Sequence, residues 1–160
     1  MATITAALSV TSDVTEYGIG ISKTMTMTKA GTNTGLEKAT GLVRKTLTSI
    51  NEVDLLTVGS GTVTDVTSTV TAANKLYIKN INTDSSEYFT VGLGKASTGS
   101  AKENFDMADS NERSVELGRL YSGDFMIIPW SATATNYNDV FVKPSVATSM
   151  VIEYMVFYEE

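Results

Sequence analysis

The chain contains no cysteine and no histidine. Without cysteine it has no disulfide, no thiolate nucleophile and no cysteine-ligated zinc or iron–sulfur site. Without histidine it lacks the commonest general base, the commonest metal ligand among side chains and the group that titrates near neutral pH. A Ser-His-Asp triad is excluded. No active site is recognisable, so we expect no enzymatic activity, no catalytic residues, no cofactor and no metal.

Positive charge is scarce. The 160 residues carry 12 Lys and Arg against 18 Asp and Glu, a net charge of −6. Residues 1–80 sum to +1 and residues 81–160 to −7. A phosphate-binding surface needs clustered basic side chains. The one adjacent basic pair, Arg44 and Lys45, is predicted to lie on a solvated face. We therefore expect no nucleic-acid partner.

Long apolar runs are missing as well. The longest, from Phe125 to Trp130, is far shorter than the roughly 20 residues of a membrane-spanning helix. The first basic residue is Lys23, so the N-terminal stretch lacks the charged start of a signal peptide. We expect no membrane partner and synthesis in a cytoplasm.

Small hydroxyl residues are abundant: 24 Thr and 16 Ser make up one quarter of the chain. Threonine and valine favour strands because β-branched side chains suit a pleated surface. Within residues 17–28, Ile21 and Met25 share one parity whereas Thr24 and Thr26 share the other. This alternation predicts a strand whose threonines form the solvent face rather than a set of nucleophiles.

Alternation and turn residues predict eight to ten short strands. They are placed at 17–28, 43–50, 53–58, 75–81, 87–93, 114–121, 125–130, 140–142 and 150–158, with a further irregular one at 62–71. Residues 36–42 are ambiguous between helical turns and irregular chain. The strands at 75–81 and 87–93 flank a short polar loop and predict an antiparallel hairpin. The strand at 125–130 is predicted to be buried.

The spacing of turns indicates an all-β fold, an antiparallel β-sandwich of jelly-roll type. Nothing in the chain resembles an interdomain linker, so residues 1–160 are expected to form a single β domain. Residues 1–16 show no turn-bounded pattern and are interpreted as an extended N-terminal arm.

One acidic run is a candidate cation site. It comprises Glu103, Asp106, Asp109, Glu112 and Glu116. Carboxylate-rich loops bind calcium, but no glycine stands where such a loop must turn. A solvated loop is the favoured interpretation, and cation binding by residues 103–116 stays open.

Three Gly-x-Gly pairs are also present. They are Gly18/Gly20, Gly59/Gly61 and Gly92/Gly94. None has the third glycine of a dinucleotide-binding turn, so bulges and turns are predicted instead.

Aromatic side chains supply candidate contacts. Trp130, Tyr137 and Tyr121 could together form a platform for a sugar or a protein partner. Trp130 follows an apolar strand and is predicted to pack in or at the edge of the core. Tyr137 lies in a polar loop and is the better candidate for an exposed contact.

Five segments of the second half carry a resemblance. Residues 74–82 (NKLYIKNIN) and 87–94 (EYFTVGLG), then 123–129 (GDFMIIP), 139–143 (DVFVK) and 151–158 (VIEYMVFY), resemble consecutive strands of small virion proteins of tailed bacteriophages. The first two segments look like a hairpin of those proteins. The resemblance covers roughly residues 74–160 and carries over no catalytic residue.

The resemblance implies a β-sandwich virion component, synthesised in the host cytoplasm. The leading hypothesis is a capsid cement (decoration) protein that bridges capsid subunits, with the major capsid protein as partner and a homotrimer as the expected oligomer. A tail or head–tail component is an alternative. A carbohydrate- or receptor-binding adhesion module is another, with Tyr137, Trp130 and residues 95–112 as its contacts. A glycan hydrolase with paired carboxylates is the least favoured hypothesis.

Overall fold

The computed structural model describes residues 4–11, 20–28, 34–36, 38–59, 62–63, 73–94, 115–130 and 139–158. Within these ranges there are thirteen strands and no helix. The strands are β1 (Thr5–Thr11), β2 (Gly20–Thr26), β3 (Lys38–Ala39), β4 (Val43–Leu47), β5 (Val53–Leu56), β6 (Val58–Gly59), β7 (Thr62–Val63), β8 (Ala73–Asn80), β9 (Tyr88–Leu93), β10 (Val115–Tyr121), β11 (Phe125–Pro129), β12 (Val140–Pro144) and β13 (Met150–Tyr158). Three of these strands are only two residues long. The other ten fall within the predicted range of eight to ten strands.

Two antiparallel sheets form the body of the fold. The front sheet has the order β10–β9–β12–β5. The back sheet has the order β11–β8–β13, with β4 and β3 both pairing with β13. Strands at equivalent positions in the two sheets are consecutive in the chain: β10 and β11, β9 and β8, β12 and β13, β5 and β4. The predicted all-β antiparallel sandwich is confirmed; its jelly-roll detail stays a prediction.

The core lies between the two sheets because alternate residues of each strand point inward. Leu76 and Ile78 of β8 and Phe89 and Val91 of β9 are all fully buried. Burial of side chains of this size stabilises the fold by about 1.5–3 kcal/mol each. Members of the same cluster come from both sheets, including Leu55, Leu56, Leu120, Val140, Val142, Ile152, Tyr154 and Val156.

The predicted hairpin of residues 75–81 and 87–93 is wrong. Strand β8 pairs with β11 and β13, whereas β9 pairs with β10 and β12 in the other sheet. Both strands carry one strongly apolar face, and both faces must reach the same core. The residues between them span the roughly 10 Å that separates packed sheets. The polar loop is therefore an arch between sheets rather than a hairpin turn.

Asn80 holds this arch in place and is fully buried. Its side-chain amide nitrogen donates to the carbonyl oxygens of Leu120, at 3.0 Å, and Glu87, at 3.4 Å. Its side-chain oxygen accepts from the backbone nitrogen of Asn82 at 3.0 Å and from the Asn82 side chain. Asn82 in turn accepts from the Val151 backbone nitrogen at 2.8 Å. All four hydrogen-bonding positions of the buried amide are thus used.

Strand β11 is not the buried strand that the apolar run predicts. It is an edge strand, and Phe125 is 56% exposed. A continuous apolar run alone does not distinguish a central strand from an edge strand. Trp130, directly after β11, is 5% exposed, which confirms its predicted core position.

The first half of the chain departs from expectation in two further places. Residues 38–42 of the ambiguous segment contain the short strand β3 rather than a helical turn. Residues 5–11 of the expected arm pair with residues 20–26, so this part forms one strand of a two-stranded sheet. Of the irregular strand predicted at 62–71, residues 62 and 63 form β7, and residues 64–71 lie outside the described residues.

Candidate functional site: exposed aromatic and apolar surfaces

Three side chains form an exposed patch on the outer face of the front sheet. Tyr121, at the end of β10, is paired with Tyr88, at the start of β9, and their ring centroids are 5.2 Å apart with a 50° tilt. The Arg119 guanidinium carbon lies 4.6 Å from the centroid of the Tyr88 ring. Residues 119 and 121 are two apart on one strand, so their side chains share a face. We call these three residues the tyrosine–arginine patch.

The patch is charged and accessible. Tyr121 is 42% exposed and Arg119 is also exposed. A hydrogen bond with Tyr121, followed by the electrostatic interaction with Tyr88, raises the pKa of Arg119 above its already high ordinary value. The guanidinium is therefore a permanent cation beside two phenol groups. Tyrosine and arginine are the side chains most enriched where proteins bind their partners.

Of the aromatic residues predicted as a platform, Trp130 is in the core, whereas Tyr121 is exposed in the tyrosine–arginine patch. Tyr137 lies outside the described residues. Sequence reasoning missed Tyr88 and Arg119. A signal for both existed, because each stands on the parity opposite to the apolar core residues of its own strand, Phe89 and Val91 in β9 and Leu120 in β10.

A second surface is the two-stranded sheet of β1 and β2, which we call the ribbon. Neither strand pairs with any other described strand. Directly opposed residues of an antiparallel pair project to the same side. One face therefore carries the pairs Ala6–Met25, Leu8–Lys23 and Val10–Ile21, and the other carries Thr5–Thr26, Ala7–Thr24, Ser9–Ser22 and Thr11–Gly20. The ribbon is amphipathic, with an apolar face and a hydroxyl-rich face.

The apolar face of the ribbon is open to solvent. Leu8 and Met25 are each 50% exposed, Val10 is 42% and Ile21 is 44% exposed. The alternation predicted for this segment is confirmed within residues 20–26, although the apolar parity is exposed there rather than buried. An isolated two-stranded hairpin is marginally stable in water.

The root of the ribbon packs on the outer face of the back sheet. Met27 and Leu36 are buried against Phe157, and Ile4 and Ala6 pack against the same cluster. Backbone bonds fix this arrangement: the Met27 nitrogen donates to the Ile4 carbonyl at 2.9 Å, and the Leu36 nitrogen donates to the Met27 carbonyl at 2.7 Å. Tyr77, Ile127 and Met155 of the sheet complete the cluster as partly buried members.

The same outer face holds a buried carboxylate. The Glu153 side chain is 8% exposed, and it accepts a hydrogen bond from Arg44 at 2.9 Å in an ion pair. The Tyr77 hydroxyl lies 3.5 Å from the other Glu153 oxygen. Burial, then the Glu153 charge and this hydrogen bond, raise the pKa of Tyr77. We interpret the ion pair of Arg44 and Glu153, with the Tyr77 hydroxyl beside it, as structural, because each of the three side chains has a partner within the sheet.

Arg44 and Lys45, the basic pair predicted to lie on a solvated face, differ in exposure and in their partners. The Arg44 side chain is 65% exposed, in agreement with the prediction, while also pairing with Glu153. Lys45 is partly buried, and its ammonium group donates to the Asp54 carbonyl oxygen at 2.9 Å. The long methylene stem of lysine covers apolar surface while its charged end reaches a carbonyl.

The candidate cation site cannot be placed. Of its acidic residues, only Glu116 falls within the described ranges, where it is exposed on β10. Those ranges contain no group of three or more Asp or Glu side chains arranged to hold a metal ion. They also contain no helix long and apolar enough to cross a membrane.

The glycine pair 92/94 has a packing explanation. Gly92 is paired with Phe141, whose ring occupies the space that a Cβ at position 92 would need. The Val115 carbonyl oxygen would lie 2.6 Å from that Cβ. Gly94 has a φ of 104°, which favours glycine. These two glycines serve the sheet and its turn, as predicted. The pairs 18/20 and 59/61 each include a residue outside the described ranges.

No protein-family model, curated protein or solved structure matches this chain. Its function must therefore be inferred from these surfaces and from the sequence resemblance.

Proposed function

We propose that this protein is a non-enzymatic structural component of a tailed-phage virion, a cement protein that binds the outside of the capsid and bridges its subunits. The proposal begins from the resemblance of residues 74–160 to small virion proteins. Its segments lie on β8, β9, β11, β12 and β13, which form most of the sandwich. The sequence offers no histidine, cysteine or other recognisable catalytic group.

The observation that carries the proposal is the combination of a closed core with an amphipathic ribbon outside it. A protein that bridges subunits needs contact surfaces beyond its own core, and such surfaces are exposed apolar patches on an otherwise polar molecule. The ribbon is one such surface, and the tyrosine–arginine patch is a second exposed surface that combines aromatic rings with a charge. The ribbon packs on the back sheet and the patch lies on the front sheet, so one chain can contact two neighbours at once.

The decisive experiment measures copy number. Particles from the phage that encodes this chain are purified on a gradient, and the chain is quantified against the major capsid protein by mass spectrometry. A cement protein is present in hundreds of copies, in a fixed ratio to the capsid protein. A handful of copies would instead indicate a tail or head–tail component, and absence from purified particles would refute the virion role.

A second candidate function is an adhesion module that binds carbohydrate, and the tyrosine–arginine patch favours it. Exposed tyrosine rings offer an apolar surface for sugar rings, and Arg119 offers hydrogen-bond donors to hydroxyl groups. A glycan array with the purified chain tests this function. Binding that disappears in Tyr121→Ala but persists in Phe125→Ala, an exposed aromatic on the other sheet, would support it. A silent array would count against it.

A further inference from the structure

The rings of Tyr88 and Tyr121 are placed for covalent coupling. The two residues stand directly opposite each other on β9 and β10, and their ring centroids are 5.2 Å apart with a tilt of 50°. Directly opposed side chains of an antiparallel pair project to the same face, with Cβ atoms about 4.5–5.5 Å apart. The two phenol rings are therefore in contact without any change of the backbone.

The surrounding chain holds both tyrosines in place. The Tyr88 nitrogen donates to the Ser145 hydroxyl at 3.0 Å, and the Ser145 nitrogen donates to the Tyr88 carbonyl at 2.9 Å. The Tyr121 nitrogen donates to an Asp124 carboxylate oxygen at 3.0 Å, and the Asp124 nitrogen donates to the Tyr121 carbonyl at 2.9 Å. Arg119 contacts both rings, since its guanidinium lies over Tyr88 and is hydrogen-bonded to Tyr121.

This tyrosine pair is also accessible to a small oxidant. Tyr121 is 42% exposed and Tyr88 is partly buried, whereas Tyr154 is buried in the core. Tyr77 is partly buried too, but its ring neighbour is Phe125, which has no phenol group. The chain has no cysteine, so no thiolate competes for a peroxide.

We propose that Tyr88 and Tyr121 are a site of oxidative cross-linking, at which hydrogen peroxide and a peroxidase join β9 to β10 through a dityrosine bond. Each phenol gives up one electron and one proton, and the two tyrosyl radicals form a carbon–carbon bond between ring carbons adjacent to the hydroxyl-bearing carbons. Each bonded carbon then passes its hydrogen to its own phenol oxygen, so both rings become aromatic phenols again. The peroxide takes up the two electrons and two protons and leaves as two waters.

The bond fastens one edge of the front sheet. Strand β10 lies at the end of that sheet and pairs with β9 alone among the described strands. The dityrosine bond closes a covalent loop from residue 88 to residue 121, and a cross-link of this kind stabilises a fold mainly by restricting the unfolded chain. The inference concerns the purified chain, so it does not rest on the virion role, and the number of copies in particles does not affect it.

The first test treats the purified full chain with hydrogen peroxide and a catalytic amount of a haem peroxidase. The readouts are dityrosine fluorescence, the intact mass of the monomer and a peptide map. We expect the monomer to lose two hydrogen atoms, with the new bond mapped to residues 88 and 121. Because the rings are already held in contact, the yield should not change when the chain is diluted about tenfold.

Two phenylalanine substitutions make this test specific. Tyr121→Phe removes one phenol group and keeps a ring beside Tyr88, so it should lower the yield of the bond within the chain at least about tenfold. Tyr77→Phe is the matched control, because it removes a partly buried phenol group outside the pair, and it should leave the yield unchanged. No dityrosine in the wild type, an equal yield in Tyr121→Phe, a bond mapped to other tyrosines, or bonds between chains alone would each overturn the proposal.

The second test measures what the bond does to stability. Thermal unfolding is compared between oxidised wild type and oxidised Tyr121→Phe, which share any oxidation of methionine, and the difference between the two unoxidised chains is subtracted. We expect the cross-linked chain to have a Tm higher by about 10 °C, the size of effect that closing a loop of this length produces. Equal Tm values would show that the bond does not fasten the edge strand.

Discussion

The buried amide of Asn80 allows a sharp prediction, since its four hydrogen bonds hold together an arch, two strands of opposite sheets and a turn. Asn80→Asp is nearly isosteric and keeps the oxygen that accepts from Asn82. It loses the amide nitrogen that donates to the Leu120 carbonyl at 3.0 Å. The substitution therefore places a carboxylate oxygen against a carbonyl oxygen, inside a site with no exposed surface.

The magnitude follows from these losses. An orphaned buried acceptor costs about 1–3 kcal/mol, and a buried carboxylate without a cation adds a comparable or larger penalty. We expect Asn80→Asp to lower the free energy of unfolding by about 3–5 kcal/mol at neutral pH. With a urea m-value of about 2 kcal/mol/M, the unfolding midpoint falls by about 2 M.

The loss should depend on pH in a defined direction. In the folded state, burial raises the pKa of the carboxyl group that Asn80→Asp introduces above the ordinary value for aspartate. The protonated form donates to the Leu120 carbonyl, so stability relative to wild type is highest below that ordinary pKa, about 3.9. It is lost as the pH rises through the raised folded-state value. If a packing defect alone caused the loss of stability, that loss would not depend on pH.

Urea unfolding of wild type and variant, followed by tryptophan fluorescence between pH 4 and pH 8, measures this effect. Trp130 is buried and reports on the core. The control is Asn51→Asp, on an exposed turn, which should change stability by less than about 0.5 kcal/mol. If Asn80→Asp matches this control, or if its deficit is the same at both ends of the pH range, the account of Asn80 is wrong.

Three further predictions concern single contacts. Gly92→Ala should lower the free energy of unfolding by at least about 3 kcal/mol, at the upper end of overpacking effects, because a backbone oxygen and a buried ring cannot both move away. Glu153→Gln should lower the pKa of Tyr77 in a spectrophotometric titration while leaving it above its ordinary value, since burial remains the largest cause. Ser86→Ala should raise the pKa of Asp84 in an NMR titration, because the Ser86 side chain and then its backbone nitrogen lower that pKa.

The signs of the two titrations are opposite. The raised pKa of Tyr77 contributes stability at pH values below the ordinary tyrosine pKa, and this is lost as the pH rises through the folded-state value. The lowered pKa of Asp84 contributes stability above the ordinary aspartate pKa, and this is lost as the pH falls. Shifts in the reverse direction would contradict the assigned contacts.

The control for Gly92→Ala is Gly20→Ala, where a Cβ would meet no atom within 4 Å. It should be nearly neutral. A second-site change of Phe141 to leucine should recover part of the Gly92→Ala loss, because the ring is one of the two obstacles. An equal effect of the two alanine substitutions would show that the predicted clash is relieved without cost.

Local patterns predict much of the fold. Strand β13 has the predicted bounds, Met150–Tyr158, because its nine residues are β-forming or apolar with Glu153 as the one charged side chain. Strand β12 begins at the predicted residue, Val140, and ends at Pro144, two residues beyond the predicted end, since proline stops a ladder of hydrogen bonds. Such signals depend on a few neighbouring residues, and a single sequence contains them in full.

Pairing between strands is not predictable in the same way. The polar loop between β8 and β9 has the composition of a hairpin turn, yet it joins two sheets. Which strand lies beside which depends on contacts between distant residues, such as the ion pair of Arg44 and Glu153, 109 positions apart. The edge position of β11 and the stacking of Tyr88 on Tyr121 arise from the same distant pairings, which no local pattern encodes.

The central position of β13 has a consequence for synthesis. It lies between β8 on one side and β4 with β3 on the other, and it follows all of them in the chain. During synthesis, the back sheet therefore lacks its central strand until residues 150–158 have emerged from the ribosome. Until then β3 and β4 lack the strand that they pair with, and β8 has only β11 as a neighbour. Ordering at such long sequence separation is slow. We expect the nascent chain to depend on chaperones until this one strand closes the sheet.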